Sequence, residues 1–194
     1  MRWMWIKKLI KLNNLLDNQD IADILLVYGE FKPVTLFEVT CIPHSSTSRS
    51  EFRRMVRKLE KYLKELGLRY QLNFNYPKTN KSLTKFSFLA KSEKVLKKII
   101  RANNKKNLQK RRRSVGVLLG YPKSAVESFS KTESIKLDDL PASIKKLPVT
   151  RFLNFRISQK WRSELKYVHK RAERIKELSP ELYRRIIRHV RRQA

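Results

Sequence analysis

Three clusters of cationic side chains are the first chemistry this sequence offers. One runs from Lys94, Lys97, Lys98 and Arg101 into Lys105, Lys106, Lys110, Arg111, Arg112 and Arg113. A second lies near the end of the chain: Arg184, Arg185, Arg188, Arg191 and Arg192. The third is Arg53, Arg54, Arg57, Lys58 and Lys61, set between apolar residues that recur with helical spacing. A guanidinium is a planar fork of N–H donors that can hold two phosphate oxygens at once, and an ammonium acts as a compact point charge. Spacings of three and four put Arg184, Arg188, Arg191 and Arg192 on one connected helical surface. For any one cluster a solvated helix face is the plainer reading. All three together, with few acids nearby, point to an anionic partner.

The composition points the same way. The 194 residues carry 46 Lys and Arg against 17 Asp and Glu, a formal charge of +29. A compact chain of this length has a radius of gyration of roughly 16 Å, and so much like charge in that space opposes compaction. A polyanion relieves the repulsion and releases its own counterions on binding. The expectation is therefore a nucleic-acid partner, RNA before DNA, with ribosomal RNA as one candidate. Lys97, Lys98, Arg101, Lys105, Lys106, Lys110, Arg111, Arg112 and Arg113, with the five C-terminal arginines, are the expected phosphate contacts.

Other constellations are thinner. Cys41 to Ser48 falls between an expected strand and an expected helix start. Free amides and hydroxyls there could take an anion, with His44, Ser45, Ser46 and Ser48 as the candidates; a capped turn is the plainer reading. His44, His169 and His189 are far apart and lack metal-ligand spacing, and Asp138 and Asp139 have no evident partner. With four glycines there is no phosphate loop. No catalytic residue, metal or cofactor is expected. Cys41 is the single cysteine, which fits a reducing, cytoplasmic setting. No apolar run approaches the length of a membrane span, and Met1 to Leu16 lacks the cleavage site of a signal peptide.

The elements that must position these residues follow from periodicity. Trp3 to Leu16 reads as an amphipathic helix and Asp20 to Tyr28 as a second, with Gly29 as C-cap. Val34 to Ile42 is an apolar, β-branched run, expected as a buried strand. Ser48 and Glu51 form a capping-box pattern before a helix with Phe52, Met55, Val56, Leu59, Leu63 and Leu66 on one face. Arg69 to Tyr76 alternates strictly, as a half-buried strand would, and pairs in expectation with a short strand holding Phe86 and Phe88. Tyr70, Phe74, Phe86 and Phe88 could stack bases, but core packing is the preferred reading. Ser92 caps a helix bearing Val95, Leu96, Ile99 and Ile100. A further helix is expected over Asn107 to Leu119, with Leu108, Val115, Leu118 and Leu119 on one side.

Near the end, Ser158 is expected to cap a long helix whose stripe is Trp161, Leu165, Val168, Ala172 and Ile175. Ser179 and Pro180 open a last helix, completing a hairpin. The fold class expected is α+β: a small, mostly antiparallel sheet ordered β-α-β-β-α, ferredoxin-like in part, with N-terminal helices and a basic C-terminal helical hairpin. The divisions expected are a helical segment over residues 1–32, an α+β core over 33–130, a connecting loop over 131–157 and the hairpin over 158–194.

Leu118-Leu119-Gly120-Tyr121-Pro122 with the short helix Ser124 to Phe129, Phe31-Lys32-Pro33, and Ser179-Pro180-Glu181-Leu182 resemble motifs of an uncharacterised prokaryotic family, domain of unknown function 483. The resemblance implies no defined activity. The family's members carry cysteines near their C-terminal helices and this chain has none there, so no metal or redox role is implied. Three other functions stay open beside RNA binding. DNA binding would use the last helix. A phosphate-handling enzyme would use the 41–48 loop. A peripheral membrane protein would use Trp3, Trp5, Lys7, Lys8 and Lys11.

Overall fold

The computed structural model describes residues 2–40, 48–75 and 86–188. The chain divides into two compact units, residues 1–96 and residues 97–194.

The first unit is α+β. It opens with α1, Arg2–Ile10, which is shorter than the expected helix because residues 11–15 form turns. The apolar residues of the pattern are buried all the same: Ile6, Leu9, Ile10, Leu12, Leu15 and Leu16. Helix α2, Asn18–Tyr28, is capped by Asp17, whose carboxylate accepts from the Asp20 amide at 2.7 Å. Ile21 to Val27 are all buried, so α2 is the central helix of this unit and packs on β1, Val34–Thr40. Asp23 is among them. Burying its charge is offset by Lys32, 3.0 Å away and itself buried, and by the Thr35 hydroxyl at 3.1 Å. Gly29 is the C-cap of α2, but the left-handed residue is Glu30, with φ of 61°.

Ser48 caps α3, Arg49–Glu65, by accepting from the Glu51 amide at 3.2 Å. Phe52, Val56, Leu59 and Leu63 are its buried stripe. Gly67 ends it at φ 68°, and the Leu68 amide returns to the Leu63 carbonyl, the six-to-one bond of a Schellman cap. The alternating stretch after it is not one strand. It divides into β2, Arg69–Gln71, and β3, Phe74–Asn75. Between them Asn73 is drawn away: its amide nitrogen donates to the Phe86 carbonyl at 2.8 Å, and its backbone exchanges bonds with the Ser87 hydroxyl.

Strand β4, Phe86–Ala90, pairs antiparallel with both β1 and β2. The sheet order is β2-β4-β1-β3, with β3 parallel to β1 at Val39 and Thr40, beyond the last β1–β4 pair at Glu38 and Phe86. Phe88 is core, as preferred from the sequence, whereas Phe86 at the strand's start is 44% exposed and Tyr70 is half-buried.

Helix α4, Glu93–Asn103, spans the division between the units, and the Ser92 hydroxyl accepts from the Val95 amide. The second unit is helical. Asn107 caps α5, Leu108–Leu118, by accepting from the Lys110 amide at 2.9 Å. Gly120, at φ 74°, closes it with a second Schellman bond, from the Tyr121 amide to the Gly116 carbonyl. Contrary to expectation, Leu108 lies outside the apolar face and is 46% exposed. It occupies the first helical position, before the turn that packs on α6, Lys123–Ser130. That packing is close: Gly116 is buried, and a Cβ there would lie 2.9 Å from a Val126 methyl.

Residues 131–157 hold a 3-10 turn at Leu137–Asp139, the short helix α7, Ala142–Lys145, and a 3-10 turn at Pro148–Phe152. Ile135 and Ile157 form an isolated bridge, and Phe152 is fully buried.

Helix α8, Trp161–Leu178, pairs with α9, Pro180–Arg188. Leu165, Val168, Ala172 and Ile175 are buried as the stripe requires, and Trp161 at its end is half-buried. The stripe meets the Pro148–Phe152 turn as well as α9. Ser158 is not its cap, because Lys160 holds that position. Ser158 is buried, and its amide and hydroxyl both donate to the Glu164 carboxylate, at 2.9 and 2.5 Å. The Ser124 hydroxyl donates to the same carboxylate, so the buried Glu164 ties α6 and the 158 turn to α8. Arg171, also fully buried, donates to the Phe152 carbonyl. Ser179 caps α9 through the Leu182 amide.

Candidate nucleic-acid interface

Residues 97–194 carry 28 of the 46 basic side chains and 8 of the 17 acidic ones. From Lys94 to Val126 there is no acid at all. Helical geometry decides where this charge goes. On α4, Lys98, Arg101 and Ala102 stand at spacings of three and four, and Lys105 follows one helical turn after Arg101. On α5, Arg113, Ser114, Val117 and Leu118 share a face in the same way. The two sets line one open cleft of about 510 Å³.

Four of the expected phosphate contacts therefore converge: Lys98, Arg101, Lys105 and Arg113. All four are exposed, and among the described residues no carboxylate lines the cleft with them. The Lys105 ammonium donates to the Ser114 hydroxyl at 2.7 Å. That bond fixes the side chain across the cleft without neutralising it, because a hydroxyl carries no charge. The walls are cationic and the floor is Ala102, Val117 and Leu118. Val117 is 61% exposed, the most exposed of the large apolar side chains among the described residues.

The remaining members of the first cluster are spread out. Lys97, Lys106, Lys110 and Arg111 are exposed but do not line the cleft. Four successive cations on a helix point in four directions, about 100° apart, so Lys110 to Arg113 do not form one patch. Arg112 turns toward α6 and lies over the Phe129 ring, 4.8 Å from its centroid, a cation–π contact that holds it in place.

In the second cluster, Arg184 and Arg188 are exposed, opposite the buried Leu182 and Ile186. Arg185 is engaged with Glu181 at 2.8 Å and offers less free charge. Arg191 and Arg192 lie outside the described residues, as does His189. The third cluster, on α3, is exposed at Arg53, Arg54, Arg57, Lys58 and Lys61, and Arg54 lies 3.7 Å from Glu51.

Of the expected anion site, His44, Ser45 and Ser46 lie outside the described residues. Ser48 is spent as the cap of α3. Among the described residues no three His, Cys, Asp or Glu side chains are grouped to hold a metal ion. No described helix is long and apolar enough to cross a membrane. Lys7 and Lys11 are exposed on and beyond α1, while the Trp3 and Trp5 side chains lie outside the described residues.

One perturbed carboxylate sits away from all of this. Burial pushes the Asp20 carboxyl up to about 8, and the nearby charges of Asp17, Asp23 and Glu38 add to the shift. It belongs to the α2 packing described above.

Of the cleft's uncharged residues, sequence reasoning places Leu118 on the apolar side of its helix and misses Ala102, Ser114 and Val117. Their signal is present in the spacing: Ala102, Ser114 and Val117 each stand four residues after a cation, Lys98, Lys110 and Arg113. The chain matches no protein-family model, no curated protein and no solved structure.

Proposed function

We propose that the protein binds RNA through phosphate contacts, with the α4–α5 cleft as the centre of the footprint. The observation that carries this reading is the convergence of Lys98, Arg101, Lys105 and Arg113 on one exposed cleft with no carboxylate among the described residues that line it. Four cations at one place make a strong local potential, and the acid-free stretch around them keeps it from being neutralised internally. Lys97, Lys106, Lys110 and Arg111 extend the positive surface, and Arg184 and Arg188 add a second. Phosphate contacts of this kind position a nucleic acid and carry no sequence information. Shape-specific or nonspecific binding is therefore the mode, with RNA such as ribosomal RNA in a reducing, cytoplasmic setting as the fitting partner. The first unit's β1-α3-β2-β4 arrangement supports a ferredoxin-like reading in part, since β4 lies between β1 and β2 as the third strand of that fold does.

Salt dependence tests the reading. If six to ten phosphates are neutralised, the log–log slope of affinity against salt is about −4 to −7 on single strands. Replacing Lys98, Arg101, Lys105 and Arg113 together with Gln flattens it by up to about three units. Anisotropy titrations at several salt concentrations measure both. Failure to bind RNA or DNA with a dissociation constant below roughly 10 μM at about 50 mM salt overturns the proposal.

A further inference from the structure

We infer that the cleft seats an unpaired base of single-stranded RNA, so that the protein prefers single strands to duplex. This rests on the RNA-binding reading above and adds what the cleft recognises. The argument starts from Val117. It stands 61% exposed on α5, four residues after Arg113 and beside Leu118, in the middle of the most basic stretch of the chain. A rail for phosphates alone needs no apolar floor, and solvated lysine stems suffice for it. Here both helices add apolar lining, chiefly Val117 and Leu118 from α5, with the nearly buried Ala102 from α4.

Duplex RNA has nothing to place on such a floor. Its bases are stacked inside, and its accessible surface is phosphate, 2′-hydroxyl and base edge. A single strand presents whole base faces, which are flat and apolar, with a phosphate on either side at the distance of one nucleotide. The cleft has that order of chemistry: an apolar floor bounded by Lys98, Arg101, Lys105 and Arg113. Two of the four walls are arginines on opposite helices, and a guanidinium plane lies flat on a base as well as gripping a phosphate. The volume of about 510 Å³ is also right, since sites for small organic groups run from roughly 300 to 1,000 Å³. The Lys105–Ser114 bond fixes one wall before the ligand arrives.

The test compares a 12-nucleotide single-stranded RNA (about one cleft and its flanks) with the duplex of the same sequence, by anisotropy at matched salt. The single strand is expected to bind about tenfold tighter than the duplex. Val117→Ser is expected to weaken single-strand binding about three- to tenfold, leaving the salt slope and the duplex affinity unchanged. Val117→Trp, which supplies an aromatic platform at the same exposed place, is expected to tighten single-strand binding about fivefold or more. Because Val117 is exposed, neither change threatens the fold. Equal affinity for both RNAs with no response to either Val117 variant overturns the base seat while leaving phosphate binding intact. Absence of all RNA binding overturns both. A Val117 effect on vesicles of anionic phospholipid, with none on RNA, overturns the base seat in favour of a lipid surface.

Discussion

Gly116→Ala tests how the cleft's α5 wall is held. A new Cβ at this buried position would lie 2.9 Å from one Val126 methyl and 3.3 Å from the other. Carbon atoms pack best at about 3.5–4.0 Å, so something must yield by more than half an ångström. Val126 cannot turn away cheaply: it is buried on α6, and a β-branched residue in a helix has one strongly preferred rotamer. The overpacking costs about 1–3 kcal/mol. Against it, alanine gains about 1 kcal/mol over glycine in a helix interior. The net expectation is a loss of about 1 kcal/mol.

The same change made in a Val126→Ala background should have the opposite sign, because the obstructing methyls are gone and only the helix-propensity gain of about 1 kcal/mol remains. Val126→Ala alone costs about 1.5 kcal/mol for its two buried methyls. Urea unfolding of the four proteins reads the cycle directly. A Gly116→Ala change that stabilises both backgrounds equally refutes the close approach of α5 to α6. The single variant should also weaken RNA binding modestly at fixed salt, because separating the two helices moves Arg113, Ser114 and Val117 together.

Asp20→Asn should stabilise the protein in a pH-dependent way. The free carboxyl titrates near 3.8 and the folded one near 8. Folding therefore takes up a proton between those values, and stability falls as pH rises through that window. The substitution should be neutral at about pH 4 and stabilising by about 1–2 kcal/mol at about pH 8, after discounting for solvent screening of a half-buried group; a flat difference across that range in thermal unfolding counts against it. Lys32→Met leaves the buried Asp23 carboxylate without its ammonium and should cost about 3–5 kcal/mol, with most of the loss recovered by adding Asp23→Leu. Equilibrium denaturation measures both. Glu30→Gly relieves a left-handed backbone at φ 61° and should stabilise by about 0.5–1 kcal/mol, read as a higher unfolding midpoint, even though it removes the exposed Lys91 pair at 3.3 Å.

What the sequence determined by itself was local. Helix caps at Ser48, Ser92 and Ser179 and the helix-ending Gly67 and Gly120 each act within about one turn of backbone, so the residue type was enough to place them. The stripes of α3 and α8 were legible for the same reason, since a seven-residue period survives whatever the helix packs on. The +29 charge and its clusters were legible outright. Tertiary structure decided the rest, because it turns on which distant residues meet. The strict alternation from Arg69 to Tyr76 implied one strand, yet Asn73 is captured by Phe86 and Ser87 thirteen and fourteen residues further on, and the strand breaks there. Ser158 had the look of a cap, but its hydroxyl was claimed by the buried Glu164, a residue whose polarity suggested the surface. In the sequence Lys110 to Arg113 belong to one cluster with Lys94 to Lys106, and the turn of the helix sends Arg113 to the cleft and Arg112 onto Phe129. Charge was written in the composition. Its focus on four side chains beside apolar ones came only when the chain turned from α4 into α5 and brought residues of both to one cleft.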